Sequence, residues 1–235
     1  MAAKEPGTSP VVQAMSATPF LREVAPASVA RLADLGTIRH YRRGTYLCHQ
    51  DEPAPEVFFL VEGRIEVTSI ATTGTRVYHA TVDMPQFVGE LGPLGDMPRT
   101  ASLVALTDSD VWTALSDAFI GFLMAEATAA RAVIRALARQ SQEQQAFVDD
   151  LLFLDLKGRV AKRLLQMATP DLDSLPADGT VVPEVTQADL ASLCGGSREN
   201  VTRILKEFER RDLVHRDGHR YVLKKVASLA KIADL

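Results

Sequence analysis

The chain is poor in cysteine. Its 235 residues include two, Cys48 and Cys194, far apart in sequence. Two thiolates cannot supply the four that an iron–sulfur cluster takes within one chain, and the pair reads as reduced, mostly buried thiols. No apolar run approaches the roughly 18 residues of a membrane span. The N-terminus shows no basic-then-apolar leader, so Met1–Thr18, rich in Ala, Pro, Ser and Thr, reads as a mobile tail of a cytoplasmic protein. No metal-ligand spacing and no nucleophile–base set appears, which argues against an enzyme. His40, His49, His79 and Cys48 show no pattern of axial haem ligands. Charge of one sign is also scarce overall, at a net −4, while 46% hydrophobic content supports real cores. The charge is unevenly spread. Residues 1–154 carry 12 Lys+Arg against 18 Asp+Glu, and residues 195–225 carry 9 against 5, a local basic patch suited to phosphate contact.

One stretch concentrates chemistry, Gln86-Phe-Val-Gly-Glu-Leu-Gly-Pro-Leu-Gly-Asp-Met-Pro-Arg-Thr-Ala-Ser102. Glu90 and Arg99 stand at the two ends of a short loop containing Gly92, Pro93, Gly95 and Pro98, and Thr100 follows the arginine. A carboxylate suits a ribose hydroxyl, while a guanidinium fork and free backbone N–H groups suit a phosphate. A buried, unpaired arginine is costly, which favours a bound anion. The spacing therefore points to a small cyclic nucleotide.

The surroundings of this loop read as β-structure. Runs at Thr45–Cys48, Val57–Val61, Ile65–Ile70, Arg76–Val82, Ser102–Ala105 and Asp110–Ala114 are punctuated by Gly, Pro and Asp, as in a sandwich or small barrel. The run from Phe58 to Val61 is apolar on both faces and predicts a central strand. Two short helices, broken near Pro26, are expected between Pro19 and Leu35. Proline is absent from Asp117 to Leu154, where Leu123, Ile134, Leu137, Ser141, Gln144, Val148 and Leu151 follow a heptad-like spacing. Such a seam on a long helix pairs with its own copy. Phe153–Gly158 reads as a hinge, with Asp155 as the cap of the next helix.

Downstream, Thr186-Gln-Ala-Asp189 has the form of a capping box. A turn at Cys194-Gly-Gly196 follows, then Ser197 as cap of a second helix from Arg198 to Arg211. Two short helices joined by a glycine turn make a helix-turn-helix, whose second helix presents its first residues to base edges. Here those are Ser197, Arg198, Glu199, Asn200 and Thr202, with Arg203 a turn on and Lys206 beyond it. Arg forks to guanine and Glu accepts from cytosine. Leu213–Leu223 alternates around Asp217-Gly218, a hairpin placed as a wing, and Arg216, His219, Arg220, Lys224 and Lys225 are candidate phosphate contacts. Val226–Leu235 reads as a short amphipathic helix.

Together these segments resemble the cyclic-AMP receptor protein/FNR (CRP/FNR) family of bacterial transcription regulators over roughly residues 18–224. Gly89-Glu90-Leu91 with Pro98-Arg99-Thr100-Ala101 resembles the family's phosphate-binding cassette. Phe153–Ala161 resembles its hinge and first DNA-domain helix, and Gly196–Lys206 its recognition helix. The resemblance implies an α+β chain. Its parts would be a flexible tail (1–18), a cyclic-nucleotide-binding β-barrel of jelly-roll type (19–116), a dimerisation helix with hinge (117–154) and a winged helix-turn-helix (155–235). It implies a homodimer on palindromic DNA with TGTGA-type half-sites, working with RNA polymerase and away from membranes. Gly89, Glu90, Leu91, Arg99 and Thr100 would hold the ribose and phosphate of a cyclic nucleotide, cyclic AMP first and cyclic GMP second, with no metal. Ser197, Arg198, Glu199, Thr202, Arg203, Lys206 and Arg220 would meet DNA. Where cyclic-AMP-responsive members carry Thr followed by Ser or Asn against the adenine, this chain has Gln144 and Gln145, longer amides that can both donate and accept. The alternative is a regulator that binds DNA without ligand or senses another small molecule, its sensor kept as a dimerisation scaffold.

Overall fold

A computed structural model describes residues 9–18, 21–74, 76–169, 172, 174–218 and 220–235. Residues 1–8 of the expected tail, Pro19, Phe20 and His219 lie outside the described residues. The chain separates into two compact units, residues 1–140 and 141–235.

In the first unit, residues read as tail form helix α1 (Pro10–Ala17), with proline in the first turn, where its missing N–H costs nothing. The tail reading fails there because Val11 and Met15 are buried in an apolar cluster with Leu32, Phe59 and Phe119. Residues 21–24 form turns instead of a first helix, and α2 (Pro26–Ala33) begins at the proline expected to break it. The strands then follow, β1 (Gly36–Tyr41), β2 (Tyr46–Cys48), β3 (Glu56–Glu62), β4 (Ile65–Ile70), β5 (Arg76–Val82), β6 (Gln86–Val88), β7 (Ser102–Ala105) and β8 (Ser109–Leu115), with the short helix α3 (Leu91–Gly95) between β6 and β7. They form two four-stranded antiparallel sheets, ordered β1-β8-β3-β6 and β2-β7-β4-β5. Strand β3 is internal, as its two-faced apolar run requires. Phe58 and Leu60 join Cys48, Ile65, Leu103 and Val111 in a core shared by both sheets. Val57 and Phe59 face the other way, into the helix-covered cluster around Trp112.

Strand β1 is exposed along most of its length and has no alternation to reveal it. It is specified by its pairing with β8, from Gly36 opposite Ala114 to Tyr41 opposite Ser109. A Cβ on Gly36 would stand 2.3 Å from the Thr113 carbonyl oxygen and 2.6 Å from the Trp112 ring, so the close approach requires glycine.

The long helical stretch is two helices, α4 (Ser116–Ala125) and α5 (Ala127–Phe153). Glu126 breaks it at φ −121°, ψ 87°. Its carboxylate accepts from Ser28 at 2.5 Å, Arg31 at 2.7 Å and Thr128 at 2.9 Å, partners that an uninterrupted helix does not offer together. Leu123 and Val133 are buried in the core of the first unit, so Leu123 does not belong to the exposed seam. Ile134, Val148, Leu151, Leu152 and Phe153 remain exposed along α5.

The second unit holds the end of α5, α6 (Leu156–Ala168), β9 (Val181–Val182), α7 (Gln187–Leu193), α8 (Arg198–Arg210), β10 (Val214–Asp217), β11 (Arg220–Leu223) and α9 (Val226–Ile232). The three expected caps are formed. Asp155 accepts from Gly158 N–H at 2.7 Å, Thr186 from Asp189 N–H at 3.1 Å and Ser197 from Asn200 N–H at 3.3 Å. Leu164, Leu190, Leu205, Phe208, Tyr221 and Leu229 pack one core. Helix α9 lays Val226, Leu229 and Ala230 into it, which gives the C-terminal segment a structural role.

Trp112 is 1% exposed and its Nε1–H donates to the Ala33 carbonyl at 2.9 Å. Trp112→Phe strands that carbonyl and should cost about 1–3 kcal/mol, read from denaturant unfolding followed by circular dichroism; an unchanged midpoint would remove this bond from the account.

Candidate functional site

The Glu90–Arg99 stretch is built on the end of β6. The chain leaves the sheet at Gly89 with φ +69°, and Glu90 is the residue that begins α3. The expected open loop therefore contains a helical turn, closed by Asp96 at φ 50°. The chain returns through Pro98 to Arg99, which is 2% exposed. Its backbone is locked to the 51–52 segment: Arg99 N–H donates to the Glu52 carbonyl and Asp51 N–H to the Arg99 carbonyl, both at 2.8 Å.

The guanidinium is turned inward. Nη1 donates to the Gly89 carbonyl at 2.6 Å and Nη2 to the Glu56 carbonyl. Cζ lies 4.6 Å from the centroid of the Phe58 ring, a cation–π contact. Nε is buried with no hydrogen-bond partner, and among the described residues Arg99 forms no ion pair. Burial lowers its pKa, and coupling to the Cys48 side chain and the carboxylates of Glu56, Glu52 and Glu90 opposes that only in part. Gly89 is needed twice over, since its φ is positive and a Cβ would stand 2.9 Å from Arg99 Nη1. Glu90 and Leu91 are partly buried and Thr100 is exposed. Desolvation pushes the Glu90 carboxyl above its usual range, against the pull of its own backbone N–H and of Arg99. The structure thus joins Gly89 to Arg99 directly and places Glu90 where its charge reaches the guanidinium. Sequence reasoning missed Glu56 and Phe58, because a backbone carbonyl leaves no trace in residue identity.

The second candidate surface is the start of α8. Ser197, Arg198, Glu199, Asn200, Arg203 and Lys206 are exposed, and a cavity of about 690 Å³ is lined by Ser197, Arg198, Glu199 and Thr202. Arg198, Glu199, Arg203 and Lys206 enter no ion pair among the described residues; Arg203 donates only to the Asn200 amide oxygen at 3.1 Å. Their heads stay available, as base readers require. Thr202, Arg220 and Arg216, all expected contacts, have partners within the chain. The Thr202 hydroxyl lies 2.7 Å from the Arg198 carbonyl and 2.9 Å from Gln187 Oε1, so it is not free. On the wing, Arg220 is exposed but pairs with Glu184 at 3.5 Å, and Arg216 Nε donates to Gly218 O at 2.9 Å. Gln144 and Gln145 are exposed on α5.

A third feature was not foreseen. Arg159 Nη1 donates to the Leu154 carbonyl at 2.7 Å, at the end of α5, while Nε donates to the Cys194 carbonyl at 2.7 Å in the turn before α8. One side chain thus bridges the junction between α5 and α6 and the turn before α8.

Among the described residues no group of three His, Cys, Asp or Glu is placed to hold a metal, and no helix is long and apolar enough to cross a membrane. Both cysteines are unpaired and buried, and desolvation pushes the Cys194 thiol up to about 12.

A cyclic nucleotide-binding domain model matches residues 38–126, and a Crp-like helix-turn-helix domain model matches residues 158–232. The chain belongs to the CRP/FNR family of transcription regulators. It is 26% identical over 210 residues to the CRP-like cAMP-activated global transcriptional regulator of Mycobacterium tuberculosis, spanning 89% of this chain and 94% of that one. It is 29% identical over 188 residues to the cAMP-activated global transcriptional regulator CRP of Escherichia coli O157:H7, spanning 79% and 89%. In fold it matches the c-di-GMP responsive regulator CLP of Xanthomonas campestris, with a TM-score of 0.70 at 21% identity over 85% of this chain and 99% of that one. A CooA mutant from Carboxydothermus hydrogenoformans matches with a TM-score of 0.72 at 17% identity over 86% and 90%. As a CRP/FNR regulator the chain is a DNA-binding protein carrying a cyclic-nucleotide-binding domain, and its family is one of regulators, not enzymes.

The raised Glu90 pKa fixes a sign. The folded state holds the Glu90 proton more tightly than the unfolded chain, so ionisation of Glu90 lowers stability as pH rises above about 4.5, and the penalty is complete above the folded pKa. Glu90→Gln should therefore be more stable than the parent at pH 7, with the advantage gone below pH 4 by denaturant titration. The opposite trend would show that Glu90 is stabilised as a carboxylate.

Proposed function

We propose that this protein is a homodimeric, sequence-specific transcription regulator controlled by a cyclic nucleotide, cyclic AMP first, bound in its sensor domain. One observation carries the ligand reading. Arg99 is 2% exposed, forms no ion pair among the described residues and keeps Nε unsatisfied, inside a stretch that the cyclic nucleotide-binding model covers. A buried guanidinium with a donor to spare is a site for an anion. In this reading Arg99 and the exposed Thr100 hydroxyl bind the cyclic phosphate, aided by the backbone N–H groups of Gly89 and Leu91. Glu90 accepts from the ribose 2′-hydroxyl, and Gln144 and Gln145 face the base. The domains divide at about residues 116 and 154, and the exposed Ile134, Val148 and Leu151 of α5 are the seam covered by a second copy. Arg198, Glu199 and Arg203 read a TGTGA-type half-site, Ser197, Lys206 and Arg220 hold phosphates, and Thr202 contributes through its packing. The ligand acts by binding one arrangement of the DNA domains more tightly than the other. The protein works in the cytoplasm, with RNA polymerase as its partner.

The competing reading is an effector other than cyclic AMP, or none. Gln144 and Gln145 favour it, and the c-di-GMP responsive CLP shares the fold.

Calorimetry decides between them. The purified protein should bind cyclic AMP, and Arg99→Ala should weaken binding by about 10–100-fold, the worth of a charge-assisted hydrogen bond. No heat with cyclic AMP or cyclic GMP at millimolar concentration would sink the cyclic-nucleotide reading, while full affinity in Arg99→Ala would move the pocket elsewhere. For DNA, Arg198→Ala should cost about 1–3 kcal/mol and relax preference at one half-site position. A loss uniform across sequences would make Arg198 a phosphate contact instead.

A further inference from the structure

We infer that Gln187 is a positioning residue for DNA recognition, which fixes the first turns of α8 through the hydroxyl of Thr202. The inference rests on the reading that α8 is the helix presented to DNA.

Gln187 is the first residue of α7 and Thr202 lies in the second turn of α8, on the side that lines the cavity with Arg198 and Glu199. The Thr202 hydroxyl stands 2.9 Å from Gln187 Oε1 and 2.7 Å from the Arg198 carbonyl. A hydroxyl has one proton, and both arrangements of it keep the bridge. Given to Gln187, the proton ties the two helices directly. Given to Arg198, it leaves the hydroxyl oxygen to accept from the Gln187 NH₂ after an amide flip. Either way the bridge couples the start of α7 to the backbone that carries Arg198. Both side chains are partly buried, so water competes for these bonds less than at an open surface.

The surroundings say why this pair matters. Arg198, Glu199 and Arg203 have no ion pair among the described residues to orient them, so their aim depends on the placement of the helix backbone. The turn before α8 is held by Arg159 through the Cys194 carbonyl, while the cap at Ser197 is long, at 3.3 Å, so the first turn of α8 itself is lightly capped. Beneath, Val201, Leu205 and Phe208 fix the helix to the core, and the Gln187–Thr202 bridge adds a polar contact at its edge. Tyr221 of the wing strand β11 is 1% exposed, and burial raises its phenol pKa while Gln187 acts to lower it. The amide thus stands where α7, α8 and the wing meet.

The test uses the full-length protein and the palindromic duplex that it selects from a randomised pool. Gln187→Leu and Thr202→Val each remove the bridge at nearly constant volume. Each should lower discrimination between the selected duplex and single-base variants by about threefold to tenfold. The salt dependence of binding should stay unchanged, because no phosphate contact is lost. The double variant should be no worse than either single one, and Thr202→Ser, which keeps the hydroxyl, should retain parental discrimination. In the free protein, amide exchange at Val201 and Thr202 should speed up in Gln187→Leu. A salt slope reduced by about one in Gln187→Leu, with discrimination intact, would make Gln187 a direct phosphate contact and overturn the inference. Additive losses in the double variant, or unchanged amide exchange, would overturn it as well. If the parent protein selects no sequence at all, the DNA reading of α8 fails, and the exchange measurement still decides the bridge.

Discussion

The cyclic nucleotide-binding domain depends on keeping a guanidinium inside a β-sandwich. An isolated buried charge costs several kcal/mol even after relaxation, and among the described residues Arg99 forms no ion pair, nearby carboxylates offsetting its burial only in part. It is held by the carbonyls of Gly89 and Glu56 and by the face of Phe58. These partners are neutral, so the positive charge persists in the site. A salt bridge would have stabilised the empty site and left less attraction for an anion. Carbonyl oxygens orient the fork without cancelling its charge, and Nε is left over.

That arrangement reaches outward through the backbone. Gly89 is glycine because Arg99 lies against it, and β6 ends where it does because the chain must turn at Gly89. In the second unit Arg159 plays a comparable part with different partners, joining the carbonyl of Leu154 to that of Cys194. In both places a fixed cation gathers backbone oxygens from separate stretches of chain.

The parts legible from sequence were those specified by neighbours a few residues away. Asp155, Thr186 and Ser197 were readable as caps because each needs only an oxygen and an N–H three residues on. Strands β4, β5 and β7 were found to their ends because apolar runs and turn residues bracket them. The misses depend on distant partners. Strand β1 is defined by β8, seventy residues later, and α1 by the cluster that receives Val11 and Met15. The break at Glu126 depends on Ser28 and Arg31, and its helical flanks conceal it. Within the site, Glu90 and Arg99 stood out as charged residues in a glycine-rich stretch, while the carbonyls and the ring that hold Arg99 did not. The link from Gln187 to Thr202 was equally invisible, since each residue looked ordinary where it stood.

The buried thiols have a practical chemical consequence. Cys48 is 8% exposed and Cys194 1%, and desolvation holds both thiols above their usual range. Nucleophilic sulfur is thiolate sulfur, so the folded chain presents almost none to maleimides, iodoacetamide or peroxide. A cysteine introduced at an exposed position, on the face of α8 or along α5, would react alone. The wild-type sequence is therefore already a suitable background for spin labels or fluorophores, with no need to strip cysteines from two packed cores.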